Sequence, residues 1–173
     1  KLNSVSGSIS IYEHPLLNNL SGLSSLESVG KLEIGDNFLS SLNGLEGINL
    51  FSGSLLISNE PQLVDISALS DLMEIQGNLQ IKNVNVSDLD DLSELSTING
   101  SLYIRDNTRL INLNGLHNVT DFGGEFIFVD NNVVLDDCSG IHPLFDSIAE
   151  GQISHIEING NSSGCDFSVY DPD

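Results

Sequence analysis

The sequence predicts a mainly-β fold, a parallel β-solenoid of about six to seven coils that each take 23–24 residues. Two observations predict it. Pairs of apolar residues that lie two apart recur at this interval, and each pair is followed by a row of apolar residues three apart, as in "GSLLISNEPQLVDISALSDL". A strand turns every second side chain to one face and an α-helix has a period of 3.6, so neither accounts for the threes.

The apolar pairs are predicted to be short strands with both side chains pointing inward. Five successive intervals between pairs are 23, 23, 24, 23 and 24 residues, and the last interval is 30. A repeat this regular indicates one structural unit stacked along the chain. The pairs are Ile9/Ile11, Leu32/Ile34, Leu55/Ile57, Leu79/Ile81, Leu102/Ile104, Phe126/Phe128 and Ile156/Ile158.

The rows of threes are predicted to bend around the rest of each coil, with every third side chain inward. A core helix is the alternative, but positions three apart drift by about 60° per step around an α-helix and would not keep to one face. Stacked coils bury such a row continuously, whereas one coil cannot. In the third coil the row is Leu63, Ile66, Leu69, Leu72 and Ile75.

Glycine and asparagine mark the turns of each coil. A glycine before the strand permits the backbone turn that closes a coil, at Gly30, Gly53, Gly77, Gly100 and Gly124. An asparagine after the strand is predicted to cap turn backbone groups and to form a ladder between coils, at Asn37, Asn59, Asn83, Asn107 and Asn131. We expect a single solenoid domain over residues 1–173, with coils at about 5–148 and a C-terminal strand and cap at about 149–173.

The pattern G-x-L-x-I-x-x-N-x-x-L-x-x-L-x-x-L-x-x-I-x-G resembles the leucine-rich repeat, and more closely the variety found in receptor L domains. The clearest instances are "GSLLISNEPQLVDISALSDLMEIQG" and "GSLYIRDNTRLINLNGLHNVTDFGG". The resemblance implies a short right-handed solenoid and an extracellular, non-catalytic recognition module. It does not name a ligand, because such repeats serve many binding roles.

The charge of the chain limits its partners. Five Lys and Arg face 25 Asp and Glu, which makes the formal net charge −20. Nucleic acids and anionic membranes both attract cationic proteins, so neither is an expected partner. The sequence contains no run of 18 apolar residues, so it does not predict a membrane-spanning helix. The expected partner is a protein ligand or a second copy of the chain.

The two cysteines favour a cap at the C-terminal end. Cys138 takes an inward position of the sixth coil, and Cys165 lies in the tail after the last strand. A disulfide between them would tie the tail over the column, stabilise it by roughly 3–4 kcal/mol and indicate an oxidising compartment. Two free thiols, with Cys138 as a small buried apolar residue, are the alternative.

Five Asn-x-Ser/Thr sequences are candidate N-glycosylation sites. All five asparagines lie outside the apolar register, so each can be exposed. They are Asn19, Asn85, Asn99, Asn118 and Asn161.

The search for catalytic chemistry finds no motif. The sequence holds no nucleophile elbow, phosphate-binding loop, zinc-protease helix or EF-hand loop. The four histidines lack metal-ligand spacing. The acidic run at residues 88–95 keeps its leucines in the inward threes, which favours a solvated acidic face over a calcium site. We therefore expect no enzyme activity, no cofactor and no metal.

The outward positions of the predicted strands form the candidate contact surface. Three of the 25 acids and three of the five bases lie there, so this face is nearly neutral on an acidic protein. Low charge with exposed apolar groups is typical of a contact surface, although strands favour such residues in any case. The candidate partner-binding residues are Leu56, Gln80, Lys82, Tyr103, Arg105 and Ile127.

These observations favour a secreted or cell-surface recognition or adhesion module that binds a protein through its sheet face. The alternative is a structural subunit that self-assembles into a filament or surface layer, through an open end of the solenoid or by exchange of the tail "DFSVYDPD". Glycan binding is less favoured, because only Tyr12 and Tyr103 offer aromatic rings on the predicted face.

Overall fold

The computed structural model describes residues 2–165 and shows a mainly-β solenoid whose strands all run parallel, as the sequence predicts. One short α-helix, α1 at His142–Asp146, occurs in this range. The strands are β1 Ser4–Tyr12, β2 Ser28–Gly35, β3 Leu50–Phe51, β4 Leu55–Glu60, β5 Glu74–Ile75, β6 Leu79–Val84, β7 Thr97–Ile98, β8 Leu102–Arg105, β9 Asp121–Phe122, β10 Phe126–Asp130 and β11 His155–Asn159.

The strands form two strips along the column. The wide strip runs in the order β1, β2, β4, β6, β8, β10, β11, and the narrow strip, β3, β5, β7, β9, continues from the N-terminal part of β2. Leu55 pairs with Leu79 and Leu79 with Leu102, so equivalent residues of successive coils lie side by side. The solenoid makes about five regular turns, slightly fewer than predicted, before a longer stretch that contains α1.

Hydrogen bonds between residues three apart explain the rows of threes. The Leu69 N–H donates to the Ile66 carbonyl at 2.8 Å, and the Leu72 N–H donates to the Leu69 carbonyl at 3.0 Å. Such bonds define 3₁₀ turns, which have three residues per turn and therefore return every third side chain to the same side. The predicted inward residues of coils two to five are at most 3 % exposed.

A column of buried polar side chains follows the C-terminal ends of the wide-strip strands. The Asn107 Oδ1 accepts the Val84 N–H at 3.0 Å, and its Nδ2 donates to the Ile81 carbonyl at 2.9 Å. Asn132 makes the same two bonds one coil further on. Each carboxamide therefore satisfies two backbone groups of the preceding coil that burial would otherwise leave without partners. We call this column the ladder; its polar members are Asn37, Glu60, Asn107, Asn132 and Asn161.

Glu60 takes the ladder position in the third coil. It is fully buried, and its carboxylate accepts the backbone and side-chain N–H groups of Asn37 at 3.0 and 2.8 Å and the Leu39 N–H at 3.1 Å. In the next coil Val84, which has no polar side chain, stands at this position. The ladder is therefore interrupted between Glu60 and Asn107.

The prediction that the repeated asparagines form a single column is wrong, because the structure has two columns. Asn37 and Asn107 lie in the ladder, whereas Asn59, Asn83 and Asn131 each come one residue earlier, in the left-handed conformation with φ of 55°, 50° and 60°. Asn suits both positions, since it tolerates positive φ and also carries both a donor and an acceptor. Residue type alone therefore could not separate the two columns.

The glycines before the wide-strip strands allow close stacking of coils. A Cβ on Gly77 would lie 2.8 Å from the carbonyl carbon of Gly53, and a Cβ on Gly100 would collide with the backbone of Gly77. Because the backbones touch here, no side chain fits between coils, and glycine is required for its size.

The register of β10 differs from the predicted register by one residue. Ile127 pairs with Leu102, and both Ile127 and Val129 are fully buried. Phe126 and Phe128 are instead half-exposed on the outer face. The predictions that these two phenylalanines point inward and that Ile127 belongs to the contact surface are therefore wrong.

The ladder accounts for this shift of register. The 24-residue interval of the sequence repeat aligns Asn107 with Asn131. In the structure, however, the Asn107 N–H donates to the Oδ1 of Asn132, which lies 25 residues after it. Residues 126–129 are apolar without a break, so their pattern fits either register. The hydrogen bonds of the ladder select the register that buries Ile127.

The C-terminal end of the column is capped by the segment after β11. Cys138 and Cys165 form the predicted disulfide, and both are buried. The Asp136 Oδ1 accepts the Ser162 hydroxyl at 2.7 Å and the Gly164 N–H at 2.9 Å. The Ser162 N–H also donates to the Leu135 carbonyl at 3.0 Å, so one covalent bond and three hydrogen bonds hold residues 162–165 on the sixth coil.

At the two ends of the wide strip, β1 and β11 each pair on one side only within the described residues. Val5, Ile9, Ile11 and Leu17 of the first coil are only partly buried. The tail at residues 166–173, which the alternative of tail exchange requires, lies outside the residues that the structure describes.

Replacing Asn107 by Ala should lower the free energy of unfolding by at least about 2 kcal/mol, because two buried backbone groups lose their partners at about 1–3 kcal/mol each. Urea denaturation followed by circular dichroism measures this. The exposed Asn49→Ala is the control, with an expected change within about 0.5 kcal/mol. Equal losses in both variants would contradict a structural role for the ladder.

The cap should weaken in acid. Hydrogen bonds from Ser162 and then from the Gly164 N–H lower the pKa of Asp136. A carboxyl with a lowered folded-state pKa stabilises the fold above its unfolded pKa, and this contribution is lost as the pH falls through the folded-state pKa. Asp136→Asn should therefore lower the thermal midpoint at pH 7, and its difference from wild type should shrink as the pH falls through the lowered folded-state pKa of Asp136.

The control for this measurement is Asp71→Asn, which removes an equal charge from an exposed position. Thermal melts with the disulfide intact should show a smaller change for it at pH 7. A constant difference between Asp136→Asn and wild type at every pH would refute the role of this carboxylate in the cap.

Candidate functional site

The outer face of the wide strip carries a row of half-exposed side chains in matched register. Leu56, Gln80, Tyr103 and Phe128 are paired neighbours in β4, β6, β8 and β10. Lys82 and Arg105 form a second matched pair beside this row. The structure thus places five of the six candidate residues together, and Phe128 takes the place that was assigned to Ile127. Their role in binding stays a prediction.

Phe128 is the centre of a group of rings on this face. Its ring lies 5.5 Å from that of Tyr103 between centroids, with 11° between the planes. The rings of Phe126 and His155 lie 6.4 and 5.3 Å from it. We call Tyr103, Arg105, Phe126, Phe128 and His155 the aromatic cluster.

Arg105 joins the cluster through a contact with a buried carboxylate. Its guanidinium carbon lies 4.8 Å from the centroid of Phe128, within the range of a cation–π interaction. Its Nη2 donates to the Asp130 Oδ2 at 3.0 Å, and its Nε lies 2.7 Å from Oδ1 as a close ion-pair contact. The Asp130 side chain is 2 % exposed, and its hydrogen bond raises the pKa of Arg105. The charged guanidinium is therefore held in place before any partner arrives.

The other two bases of this face are also balanced locally. The Lys31 Nζ lies 2.7 Å from the Glu33 Oε1, and the Lys82 Nζ lies 3.7 Å from the Asp106 Oδ2. Each of the three bases on this face therefore has a carboxylate beside it. The face remains nearly neutral, in contrast to the net charge of −20 on the whole chain.

The strand order decides which parts of the Phe128 ring are covered. Since β10 lies between β8 and β11, Tyr103 and Arg105 approach the ring from one side and His155 from the other. The Phe128 ring is therefore contacted by neighbouring groups from both sides.

The sequence reasoning missed Phe126, Phe128 and His155 as members of one cluster. The inward pair Ile156/Ile158 puts His155 on the outer face, but the predicted register puts its neighbours Phe126 and Phe128 in the core. The spacing of 25 residues between Asn107 and Asn132 was the available signal, because it departs from the 24-residue interval between the apolar pairs.

Chemistry-bearing groups elsewhere are scattered. Within residues 2–165 no group of three or more His, Cys, Asp or Glu residues could hold a metal ion. In the acidic run, burial and then the charges of Asp65, Asp88 and Asp90 raise the pKa of Asp91, as expected where carboxylates crowd without a cation. No helix in the described part of the chain is long and apolar enough to span a bilayer.

The candidate glycosylation sites differ in exposure. Asn19, Asn99 and Asn118 are exposed, and Asn85 is half-buried. Asn161 is also half-buried, and its carboxamide is the last member of the ladder. None of the five lies on the outer face of the wide strip.

The sequence profile of the receptor L domain matches residues 49–139, which is more than half of the chain. The chain belongs to the receptor L-domain family. Receptor L domains are ligand-binding modules of receptors and are not enzymes. No curated protein matches the sequence. In this L domain, Tyr103, Arg105, Phe126 and Phe128 lie inside the matched range, whereas His155 and Cys165 lie beyond it.

A pair of aspartate variants tests the register of β10. Ile127→Asp should abolish folding, because an unpaired charge cannot be buried without a large cost. Phe128→Asp should leave the chain folded, since its side chain reaches solvent. Circular dichroism melts and gel filtration distinguish them, and the opposite outcome would restore the register predicted from sequence.

Proposed function

We propose that this L domain is an extracellular or cell-surface recognition module that binds a protein partner through its aromatic cluster. The observation that carries the proposal is a cluster of three aromatic rings, a histidine and a fixed arginine on a nearly neutral face of a strongly acidic protein. Aromatic residues and arginine dominate the binding energy of protein interfaces, and charged residues are depleted at interface cores.

The ordering of the cluster supports a protein partner. Side chains that are already held in one conformation lose little entropy on binding. Asp130 holds Arg105, and neighbouring rings hold Phe128, so the surface is organised in advance. The family also supports this partner class, since receptor L domains bind protein ligands.

The same geometry disfavours a glycan. A sugar ring stacks on an open aromatic face, but the faces of Phe128 are covered by Tyr103, Arg105 and His155.

The location follows from the family and the disulfide. Disulfides persist in oxidising compartments, and Cys138–Cys165 ties down the cap. The L domains of receptors face the outside of the cell. Both support a secreted or surface-displayed molecule without catalytic activity.

Photo-cross-linking tests the proposed surface. A photoreactive phenylalanine analogue at Gln80, which neighbours Tyr103 on the outer face, should cross-link a protein on the surface of cells of the source organism. The same analogue at Ile111, an exposed apolar residue off this face, should not.

Affinity for the cross-linked protein then tests the cluster. Phe128→Ser and Tyr103→Ala should each weaken binding at least tenfold, because hot-spot residues contribute about 2 kcal/mol or more. The control Ile111→Ser removes exposed apolar surface elsewhere and should leave the Kd within about twofold. Unchanged binding by folded cluster variants would refute the proposed site.

A self-assembling subunit is the second candidate function. It is favoured by one observation, that β1 and β11 each present an unpaired edge within the described residues. Light scattering over a concentration series separates the two functions. Growth into filaments would support assembly, whereas a monodisperse monomer at high concentration would count against it.

A further inference from the structure

We propose that N-linked glycans attach at Asn19, Asn99 and Asn118, and that the fold closes the sequon at Asn161 to glycosylation. The proposal rests on the proposed secretory location, and it does not depend on the partner or on the aromatic cluster. The difference between the sites comes from what each carboxamide does in the folded chain.

The three open sites have exposed side chains with one hydrogen bond from each carboxamide nitrogen. The Nδ2 of Asn118 donates to the Ser93 carbonyl at 2.7 Å, and the Nδ2 of Asn99 donates to the Gln76 Oε1 at 2.6 Å. The Nδ2 of Asn19 donates to its neighbour Asn18. None of these three carboxamides binds a preceding coil through both its Oδ1 and its Nδ2.

Asn161 uses both polar atoms of its side chain to bind the preceding coil. Its Oδ1 accepts the Asn132 N–H at 3.0 Å and the Asn132 Nδ2 at 3.2 Å. Its Nδ2 donates to the Val129 carbonyl at 2.6 Å. Asn132 makes the same pair of backbone bonds one coil earlier and Asn107 makes it two coils earlier, so Asn161 is a member of the ladder.

The geometry of the amide makes this role incompatible with a glycan. One N–H of a carboxamide lies on the same side as the oxygen, and the other lies on the opposite side. Since Oδ1 and Nδ2 of Asn161 both bond to the preceding coil, the hydrogen in use is the one on the oxygen's side. A substituted amide keeps its carbon substituent on that side, and the other isomer costs about 2.5 kcal/mol. The sugar would therefore replace the hydrogen that bonds Val129.

The transfer has the same chemistry at every site. The carboxamide nitrogen attacks C1 of an oligosaccharide carried on a lipid diphosphate. The Nδ2–C1 bond forms, the C1–O bond breaks, the diphosphate leaves with the electron pair, and a base takes the Nδ2 proton. At Asn161 the product would lose its bond to the carbonyl of Val129, a fully buried residue of β10.

The open sites also lie away from the proposed binding surface. Asn19 lies in the segment between β1 and β2, Asn99 lies between β7 and β8, and Asn118 lies just before β9. Glycans there would cover the rest of the solenoid and leave the outer face of the wide strip bare.

Variants that remove a sequon without touching its asparagine test the proposal. Thr120→Ala removes the Asn118 sequon and Ser163→Ala removes the Asn161 sequon, and both residues are exposed. In chains secreted by eukaryotic cells, Thr120→Ala should lose one glycan step on a gel, whereas Ser163→Ala should lose none. Peptide mass mapping after enzymatic glycan release should show conversion of Asn to Asp at positions 19, 99 and 118, and none at 161.

Two results would overturn the proposal. One is a glycan on Asn161 in a secreted chain that still unfolds cooperatively. The other is the absence of sugar at Asn19, Asn99 or Asn118 in a chain whose Cys138–Cys165 bond has formed. Alkylation without reductant monitors that bond. Free thiols would contradict both the secretory location and this proposal. The binding measurements on the aromatic cluster do not depend on that result.

Discussion

The structure depends on one constraint, that every coil must satisfy backbone groups which stacking removes from water. The strands do this for each other, but the turns after β6, β8 and β10 each bury an N–H and a carbonyl that bond a side chain instead of a strand. The ladder supplies both bonds from one side chain, through Asn107, Asn132 and Asn161. Because each member bonds the coil before it, the ladder also fixes how successive coils are aligned.

That alignment creates the candidate site. In β10 the apolar pattern permits two registers, and the bond from the Asn107 N–H to Asn132 selects the one that buries Ile127 and Val129. Phe126 and Phe128 are then left on the outer face, where Phe128 meets Tyr103, Arg105 and His155. A requirement of backbone hydrogen bonding thus places the largest apolar side chains of this strand on the surface of the protein.

Charge separates this surface from the rest of the molecule. The body of the solenoid carries nearly all the excess acid, which keeps the protein soluble and opposes unspecific association. On the outer face, Asp130 and Glu33 balance Arg105 and Lys31 at 2.7 Å. The bases of this face are therefore paired before a partner binds, which lowers the cost of burying them in an interface.

The sequence by itself determined the solenoid, its inward leucines, the Cys138–Cys165 cap and five of the six residues placed on the outer face. These follow from local spacing, because 3₁₀ turns return every third side chain and strands every second. Only the tertiary structure decided the β10 register, the separation of the two asparagine columns and the place of Asn161 in the ladder. Each of these depends on a hydrogen bond between one coil and the preceding coil. The spacing of residues along a single coil does not show which backbone atoms of the preceding coil need a partner.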